Sequence, residues 1–356
     1  MKKYKIIIII LAIILVLIFL GGFYYNYQIS PVSRESEKVV VEIKEGSIYS
    51  IGDTLYENNL IRSKFIFKIY VKLNRINSLK ASTYEFDRNM KLSEIINMLE
   101  EGNSYNPDEI RITFKEGLNV RKIARVIEEN TNNKYEDVIS LMDDDSYIDV
   151  LIDKYWFLTD EIKNEKIYYP LEGYLFPNTY AFLNRDVDVK TIIETMLTEM
   201  GKKLEGYKDT IKNSGYSVHK ILTLSSIVEL EGASADDRAA VAGVFYNRIN
   251  DGWVLGSDVT TYYYLKIDDF KQSLNGNKNL YTCDYAYNTR CTSFAGLPVG
   301  PVSNPGIESI EGTINYKKHN YYYFVADCGG KTYLNKDITG HYNTINKLKN
   351  ENNWCV

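Results

Sequence analysis

The residues of this chain best placed to do chemistry are two glutamates inside an apolar run, Glu229 and Glu231 of SSIVELEG at 225–232. Leu222, Leu224, Ile227, Val228 and Leu230 surround them, and at about 100° per residue these leave little of a helix circumference polar, so the segment reads as a buried helix. Burial disfavours the charged form of a carboxyl and lifts its pKa from about 4.3 to about 6 or 7, where a general acid works near neutral pH. On a helical wheel Glu231 falls between Leu224 and Ile227, and Glu229 beside Leu222 and Ser225, so periodicity favours neither. A salt bridge, or a place at the solvated helix end near Gly232, is the competing structural role for each.

The neighbouring segments must hold such a helix in place. Ser234 with Asp237 three residues on is a capping-box-like start for DDRAAVAGVFYNRIN. Ala239, Ala240, Ala242 and Gly243 make that helix thin enough to pack closely and desolvate a glutamate on its neighbour. VLGSDVTTYYYL at 254–265 puts Asp258 near two threonines, and CDYAYNTRC at 283–291 presents Asn288 and Thr289 on a loop. GLPVGPVSNPG at 296–306 holds three of the seven prolines and reads as a rigid loop that offers backbone amides or a wall to a ligand. Upstream, Pro170, Gly173 and Pro177 in YYPLEGYLFPNTYAF at 168–182 argue for a packed loop. There Glu172 either lines a sugar cleft with Tyr174, Phe176 and Tyr180 or sits in a domain-joining loop glued by aromatic burial.

The chain starts with Lys2, Lys3 and Lys5 ahead of an apolar run from Ile6 to Phe23, close to the length of about 20 residues that a bilayer-spanning helix needs. The next basic residue is Arg34, so positive charge lies on the cytoplasmic side. The pattern predicts a cytoplasmic tail over 1–5, a single-pass anchor over 6–24, a polar spacer over 25–38 and everything beyond it outside the cytoplasm. A cleaved signal peptide fits less well, because its apolar core runs only about 7 to 15 residues and ends in a small-x-small site. With 356 residues, 45% hydrophobic and 25% charged, the chain suffices for two or three folded domains, and a net charge of -5 argues against a nucleic-acid partner. His219, His319 and His341 lack zinc-ligand spacing and no phosphate-binding glycine loop is present, so no metal or cofactor is expected. Four cysteines allow three disulfide connectivities: Cys283 with Cys291 would close the AYNT loop and Cys328 with Cys355 would tie down the last segment, with free thiols the alternative.

After the spacer, VVVEIKEG is strand-like, IGDTLYENNLI at 51–61 has helical spacing, STYEF is strand-like and LSEIINMLEEG at 92–102 is helical. KEGSIYSIGDTLYEN at 44–58 and KEGLNVRKIARVIEEN at 115–130 share a Lys-Glu-Gly turn ahead of a short amphipathic helix. Such units resemble LysM-type modules, which bind glycans containing N-acetylglucosamine; the alternative is a small α+β spacer domain. Thr131 to Lys166 reads as irregular, with Asp143, Asp144 and Asp145 as a solvated loop. The 31 tyrosines suit stacking on sugar faces, or reflect a compositional habit. The predicted fold class is α+β: the anchor, a small LysM-like domain over 39–105, and a mixed α/β catalytic domain over 106–356 with a second LysM-like segment near 112–130 and a buried catalytic helix.

LEGYLFPNTY at 171–180, SSIVELEG, VAGVFYNRI at 241–249, SDVTTYYYL, AYNT at 286–289, GLPVGPVSNPG and YYYFVAD at 321–327, in this order, resemble the endolytic murein transglycosylases, the YceG-like family. The resemblance implies a lyase that cuts internal β-1,4 bonds between N-acetylmuramic acid and N-acetylglucosamine in nascent peptidoglycan, leaves 1,6-anhydro ends and so ends strand elongation. It carries the catalytic role to Glu229, with Glu231 as a supporting carboxylate, and implies substrate contacts at Glu172, Asn247, Asp258, Thr260 and Asn288. Peptidoglycan strands and the membrane are the implied partners, with the synthases of elongation or division as protein partners. Gly256 stands where relatives usually have Gln, Val259 where they have Pro or Ala, and Lys331 where many have His. Two other functions fit the same residues: a muramidase with Asp258 as second carboxylate and water as acceptor, and a non-catalytic wall-binding scaffold.

Overall fold

A computed structural model of the chain describes residues 2–232, 234–270, 272–274, 277, 282–283, 286–291 and 295–355, with side chains from residue 11 onward. The side chains of Lys2, Lys3 and Lys5, on which the expected orientation rests, and Asp284 and Tyr285 of CDYAYNTRC lie outside the described residues. The chain divides into two units, 1–108 and 109–356.

In the first unit the apolar run forms α1 (Lys2–Ile29), which continues beyond residue 24 into the expected spacer. Its stretch Leu11–Ile29, with mean hydropathy 1.6, is long and apolar enough to cross a membrane. The rest of the spacer is tied down: the Arg62 guanidinium donates to the carbonyls of Pro31 at 2.6 Å and Val32 at 3.1 Å and lies over the Tyr27 ring. β1 (Lys38–Ile43) and β2 (Ser82–Asp87) pair antiparallel with Val41 opposite Tyr84. Side chains alternate across a strand, so Val41, Ile43, Tyr84 and Phe86 enter the core together. Between the strands lie α2 (Ile48–Glu57) and α3 (Lys64–Leu73), started by Ser47 and Ser63, whose side-chain oxygens accept from the N–H groups of Ser50 and Ile66. α4 (Leu92–Glu101) follows, and Leu55, Phe67, Ile95 and Leu99 complete this core.

The second unit runs β3 (Ile110–Thr113), α5 (Val120–Asn130), α6 (Tyr135–Met142), α7 (Asp145–Lys154), β4 (Thr179–Phe182), α8 (Val189–Glu205) and α9 (Lys208–Ser214). Then come α10 (Val218–Glu231), α11 (Ala235–Asn250), α12 (Asp258–Tyr264), α13 (Ile307–Ile314), β5 (Tyr323–Ala326), β6 (Thr332–Asn335) and α14 (Ile338–Asn350). β3 pairs with β4 and β5 with β6, both antiparallel, so the chain is mixed α+β. The region 131–166 departs from the irregular stretch expected there. Asp144 is the N-cap of α7, its carboxylate accepting from the N–H groups of Ser146 and Tyr147, and Val138, Met142, Ile148 and Leu151 face the core. The acidic run thus starts a helix, which is where negative charge is favoured.

Candidate active site

α10 carries the two glutamates. It starts at Ser217, whose Oγ accepts from Lys220 N–H, and is buried at His219 and from Ile221 to Val228, as the apolar run requires. α11, capped by Ser234 as expected, and α13 pack against it and against each other. The thinness of α11 matters at Gly312 of α13, where an added Cβ would lie 3.1 Å from the Ala239 nitrogen. Ser226 of SSIVELEG fastens the proline-rich loop: its Oγ accepts from Val302 N–H at 3.0 Å and its carbonyl accepts from Ser303 Oγ at 3.0 Å.

Residues two apart on an α-helix point about 200° apart, so Glu229 and Glu231 meet different surroundings. Glu229 faces α11 and the start of α13. Its Oε1 accepts from the Arg238 guanidinium at 2.9 Å, and its Oε2 accepts from Gly306 N–H at 2.9 Å and Ser309 Oγ at 2.8 Å. Arg238 also pairs with Glu308 and lies 3.8 Å from Glu116, whose carboxyl is pushed up by burial and then by the negative Glu229. With a side chain 5% exposed, Glu229 has both oxygens engaged inside an ion-pair network.

Glu231 faces a cavity of about 400 Å³ whose wall also includes Arg248, Ser257, Asp258, Arg290 and Tyr323. Its Oε1 accepts one hydrogen bond from a side chain, Ser257 Oγ at 2.6 Å. Burial raises its pKa; the Ser257 bond opposes the rise, the Asp258 charge adds to it, and Arg248 and Arg290 oppose it. Arg248 is held by the carbonyls of Tyr322 and Leu255, so its charge is fixed near the cavity. Gly256 has φ +65, a left-handed conformation that suits glycine, and its N–H donates to Thr289 O at 2.9 Å. An added Cβ there would make only an ordinary contact with Arg248 at 3.6 Å, so the left-handed backbone, rather than space, is what favours glycine at this wall.

Of the other expected substrate contacts, Asp258 lines this cavity, half exposed and ion-paired to Arg290. Thr260 and Asn288 stand behind the wall: Thr260 Oγ1 donates to Ser257 O at 2.8 Å, and Asn288 Nδ2 donates to Thr282 O at 2.6 Å while its Oδ1 accepts from Arg290 N–H. Asn247 is occupied elsewhere, donating to the carbonyls of His319 and Tyr321 at 2.9 Å each. Glu172 is fully buried and lines no part of the cavity. Its carboxyl accepts from Val120 N–H at 3.0 Å, Tyr263 Oη at 3.0 Å and Asn304 Nδ2 at 2.9 Å, joining the start of α5, α12 and the proline-rich loop. Burial pushes its pKa to about 7 against the opposing Val120 and Tyr263 hydrogen bonds and the nearby Arg121 charge. Of the two roles read for it in the sequence, the geometry is that of the aromatic-glued loop.

Both disulfides follow the local pairing: Cys283–Cys291 closes the AYNT loop and Cys328–Cys355 ties the last segment to the β5–β6 turn. Size does not select the site. A larger cavity of about 610 Å³ is lined by Tyr216, His219 and Val299, and both ring nitrogens of His219 are already engaged, by Tyr174 Oη and Val299 O.

The YceG-like family model matches residues 41–347. The chain belongs to the YceG-like family. It is 32% identical over 328 residues to the endolytic murein transglycosylase of Bacillus subtilis, covering 90% of this chain and 88% of that protein. It is also 32% identical to the endolytic murein transglycosylase of Streptococcus pneumoniae, covering 95% of this chain but 64% of that longer relative. The crystal structure of a YceG-like protein of Listeria monocytogenes superposes with a TM-score of 0.61 at 35% identity, over 87% of this chain and all of that one (100%). This YceG-like chain thus shares its fold with a solved YceG-like protein and about a third of its residues with two proteins named endolytic murein transglycosylase. Sequence reasoning missed Arg238, Ser257, Arg248 and Arg290 around its two glutamates. Arg248 and Ser257 lie inside the motifs VAGVFYNRI and SDVTTYYYL, and Arg290 directly follows AYNT, so the motif set itself pointed to them; Arg238 sits in the first turn of the thin helix, with no motif to mark it.

Proposed function

We propose that this YceG-like chain is an endolytic murein transglycosylase in which Glu231, rather than Glu229, is the proton donor and acceptor. A lytic transglycosylase needs one carboxyl with an open oxygen. Protonated Glu231 gives its proton to the glycosidic oxygen as the bond to the muramoyl C1 breaks. The resulting carboxylate takes the proton of the muramoyl C6 hydroxyl as that oxygen closes on C1, which leaves a 1,6-anhydro end, restores the acid and consumes no water. The observation that carries this choice is the contrast between a Glu231 that lines a cavity with a raised pKa and a Glu229 whose oxygens are both held by Arg238, Gly306 and Ser309. A general acid near neutral pH requires the first environment.

Glu231→Gln should abolish release of anhydro-ended glycan from uncrosslinked strands, read by mass spectrometry, while Glu229→Gln at matched thermal stability keeps a measurable rate. The reverse result would return the role to Glu229. Products heavier by one water would indicate a muramidase instead.

In the same reading, α1 is a single-pass anchor with its N-terminus in the cytoplasm, and a reporter enzyme fused after Val39 works only outside it. The first unit is a LysM-like glycan-binding module, whose strand-helix-helix-strand order leaves a groove of about 620 Å³ lined by Ser47, Tyr49, Arg75 and Asn77. Peptidoglycan synthases are the protein partners such an enzyme would meet, and the reaction would end strand elongation.

A further inference from the structure

The segment that follows α14 is built into the wall of the Glu231 cavity. Asn352 takes a left-handed turn at φ +51, and Asn353 N–H donates to Leu348 O at 2.8 Å, which folds the chain back on the helix. Asn353 then joins the β5–β6 turn twice: its carbonyl accepts from Cys328 N–H at 3.1 Å, and its Nδ2 donates to Asp327 Oδ2 at 3.2 Å. Asp327 is itself fixed, accepting from the N–H groups of Gly329 and Lys331. Two residues further, Cys355 is bonded to Cys328. Trp354 therefore stands between two anchors on one turn, and its indole lines the same cavity as Glu231, Asp258 and Arg290. Among the described residues no aromatic ring packs on it; the ammonium of Lys349 lies 5.8 Å from its centroid.

We propose that Trp354 is a substrate-stacking residue of this cavity, that it takes the apolar face of an N-acetylhexosamine ring, and that the Cys328–Cys355 disulfide holds it there. The inference rests on the Glu231 cavity being the reaction site. The electron-rich face of an indole attracts the C–H face of a pyranose, and its two side-chain torsions are few to immobilise. A rigid aromatic wall beside convergent polar groups is the usual make-up of a small-ligand site. The half-buried state of Trp354 leaves ring surface for that contact. A disulfide spent on the residue next to it makes sense if the position of that ring, rather than the core of the unit, is what needs holding.

The test uses the full chain in detergent and peptide-free glycan strands from uncrosslinked peptidoglycan. In a Glu231→Gln background, which binds without turnover, Trp354→Ala should weaken binding about five- to tenfold, and Trp354→Phe by less. With Glu231 present the loss should appear in KM. Cys355→Ser should weaken binding in the same direction but add nothing to Trp354→Ala, because both act through one ring. Emission from Trp354, in a chain whose other two tryptophans, Trp156 and Trp253, are replaced by Phe, should shift when strands are added, a readout that holds even if the alanine variant folds poorly. Unchanged affinity in Trp354→Ala, or a Cys355→Ser loss undiminished in that background, overturns the proposal. Full turnover by Glu231→Gln would defeat the choice of reaction site, while the binding titrations would still decide the role of Trp354.

Discussion

Glu172 and Glu231 are both carboxyls whose pKa burial raises, yet they sit in opposite kinds of site. Glu172 is enclosed by three donors from three segments and has no exposed surface. Among the described residues Glu231 has one side-chain donor, and it opens on a cavity. Burial alone therefore does not mark a catalytic acid: the proton must also have somewhere to go. Glu172 does architectural work, joining the start of α5 to α12 and to the loop whose Gly306 N–H reaches Glu229. Glu229 is a third case, anionic partner of Arg238 in the packing of α10 against α11 and α13.

The largest effect that separates the two sites is catalytic. Glu231→Gln should lower the rate of anhydro-product release by about 10²- to 10⁴-fold, the usual contribution of general acid-base catalysis, with the melting temperature little changed. Glu172→Gln should keep most of the rate, because the amide oxygen still accepts from Val120 and Asn304 while its NH₂ donates to Tyr263. Comparable losses in both variants would erase the distinction.

Next in size is stability. Glu172→Ala leaves Val120 N–H, Asn304 Nδ2 and Tyr263 Oη without their buried partner. An unsatisfied buried group costs about 1 to 3 kcal/mol, so a loss of about 3 kcal/mol or more is expected in denaturant unfolding of the full chain. Glu231→Ala, whose one donor Ser257 can turn to the cavity, should lose less.

How much of this was legible in the sequence differs by element. Both strands of the first unit, its helices α2 and α4, the Ser234 cap and the buried character of α10 followed from local periodicity and capping chemistry, whereas α3 was not read, and the motif set was specific enough to mark the family. The helices between Tyr135 and Lys154 are hard to see in the sequence because an acidic run reads as a solvated loop, whereas the Asp144 carboxylate caps a helix. The choice between Glu229 and Glu231 lay beyond the sequence for a plain reason. Two glutamates on opposite faces of an apolar helix differ only in what other segments bring to them, and Arg238, Ser309, Ser257 and Arg290 arrive through tertiary packing. Trp354 was invisible on the same ground, its place being fixed by a turn and a disulfide more than twenty residues back along the chain.

The pH dependence sharpens the comparison further. A carboxyl whose folded pKa is raised holds its proton more tightly when folded, so its stabilising contribution is fully present below the unfolded value of 4.5 and is lost as pH rises through the folded value, about 7 for Glu172. The shift corresponds to about 3 kcal/mol over that window. Unfolding free energies measured from pH 4.5 to 7.5 should therefore fall with pH in the native chain and flatten in Glu172→Gln. A slope unchanged by that substitution would mean that Glu172 titrates as an ordinary carboxyl.

The smallest effect concerns tuning. The negative charge of Asp258 adds to the raised pKa of Glu231, whereas Arg248 and Arg290 oppose it. Asp258→Asn removes a repelling charge and also releases Arg290 from its ion pair, and both changes favour the Glu231 carboxylate. The folded pKa of Glu231 should then fall, and because the reaction begins from the protonated form, the high-pH limb of the rate profile should move to lower pH. Asp258 is half exposed, so solvent and salt screen its charge and the displacement should be small, and smaller still at high ionic strength. Glu172→Gln should not move that limb at all, since Glu172 lies outside the cavity. A limb that follows Glu172 and ignores Asp258 would mean that the enclosed carboxyl, and not the one open to the cavity, governs the chemistry.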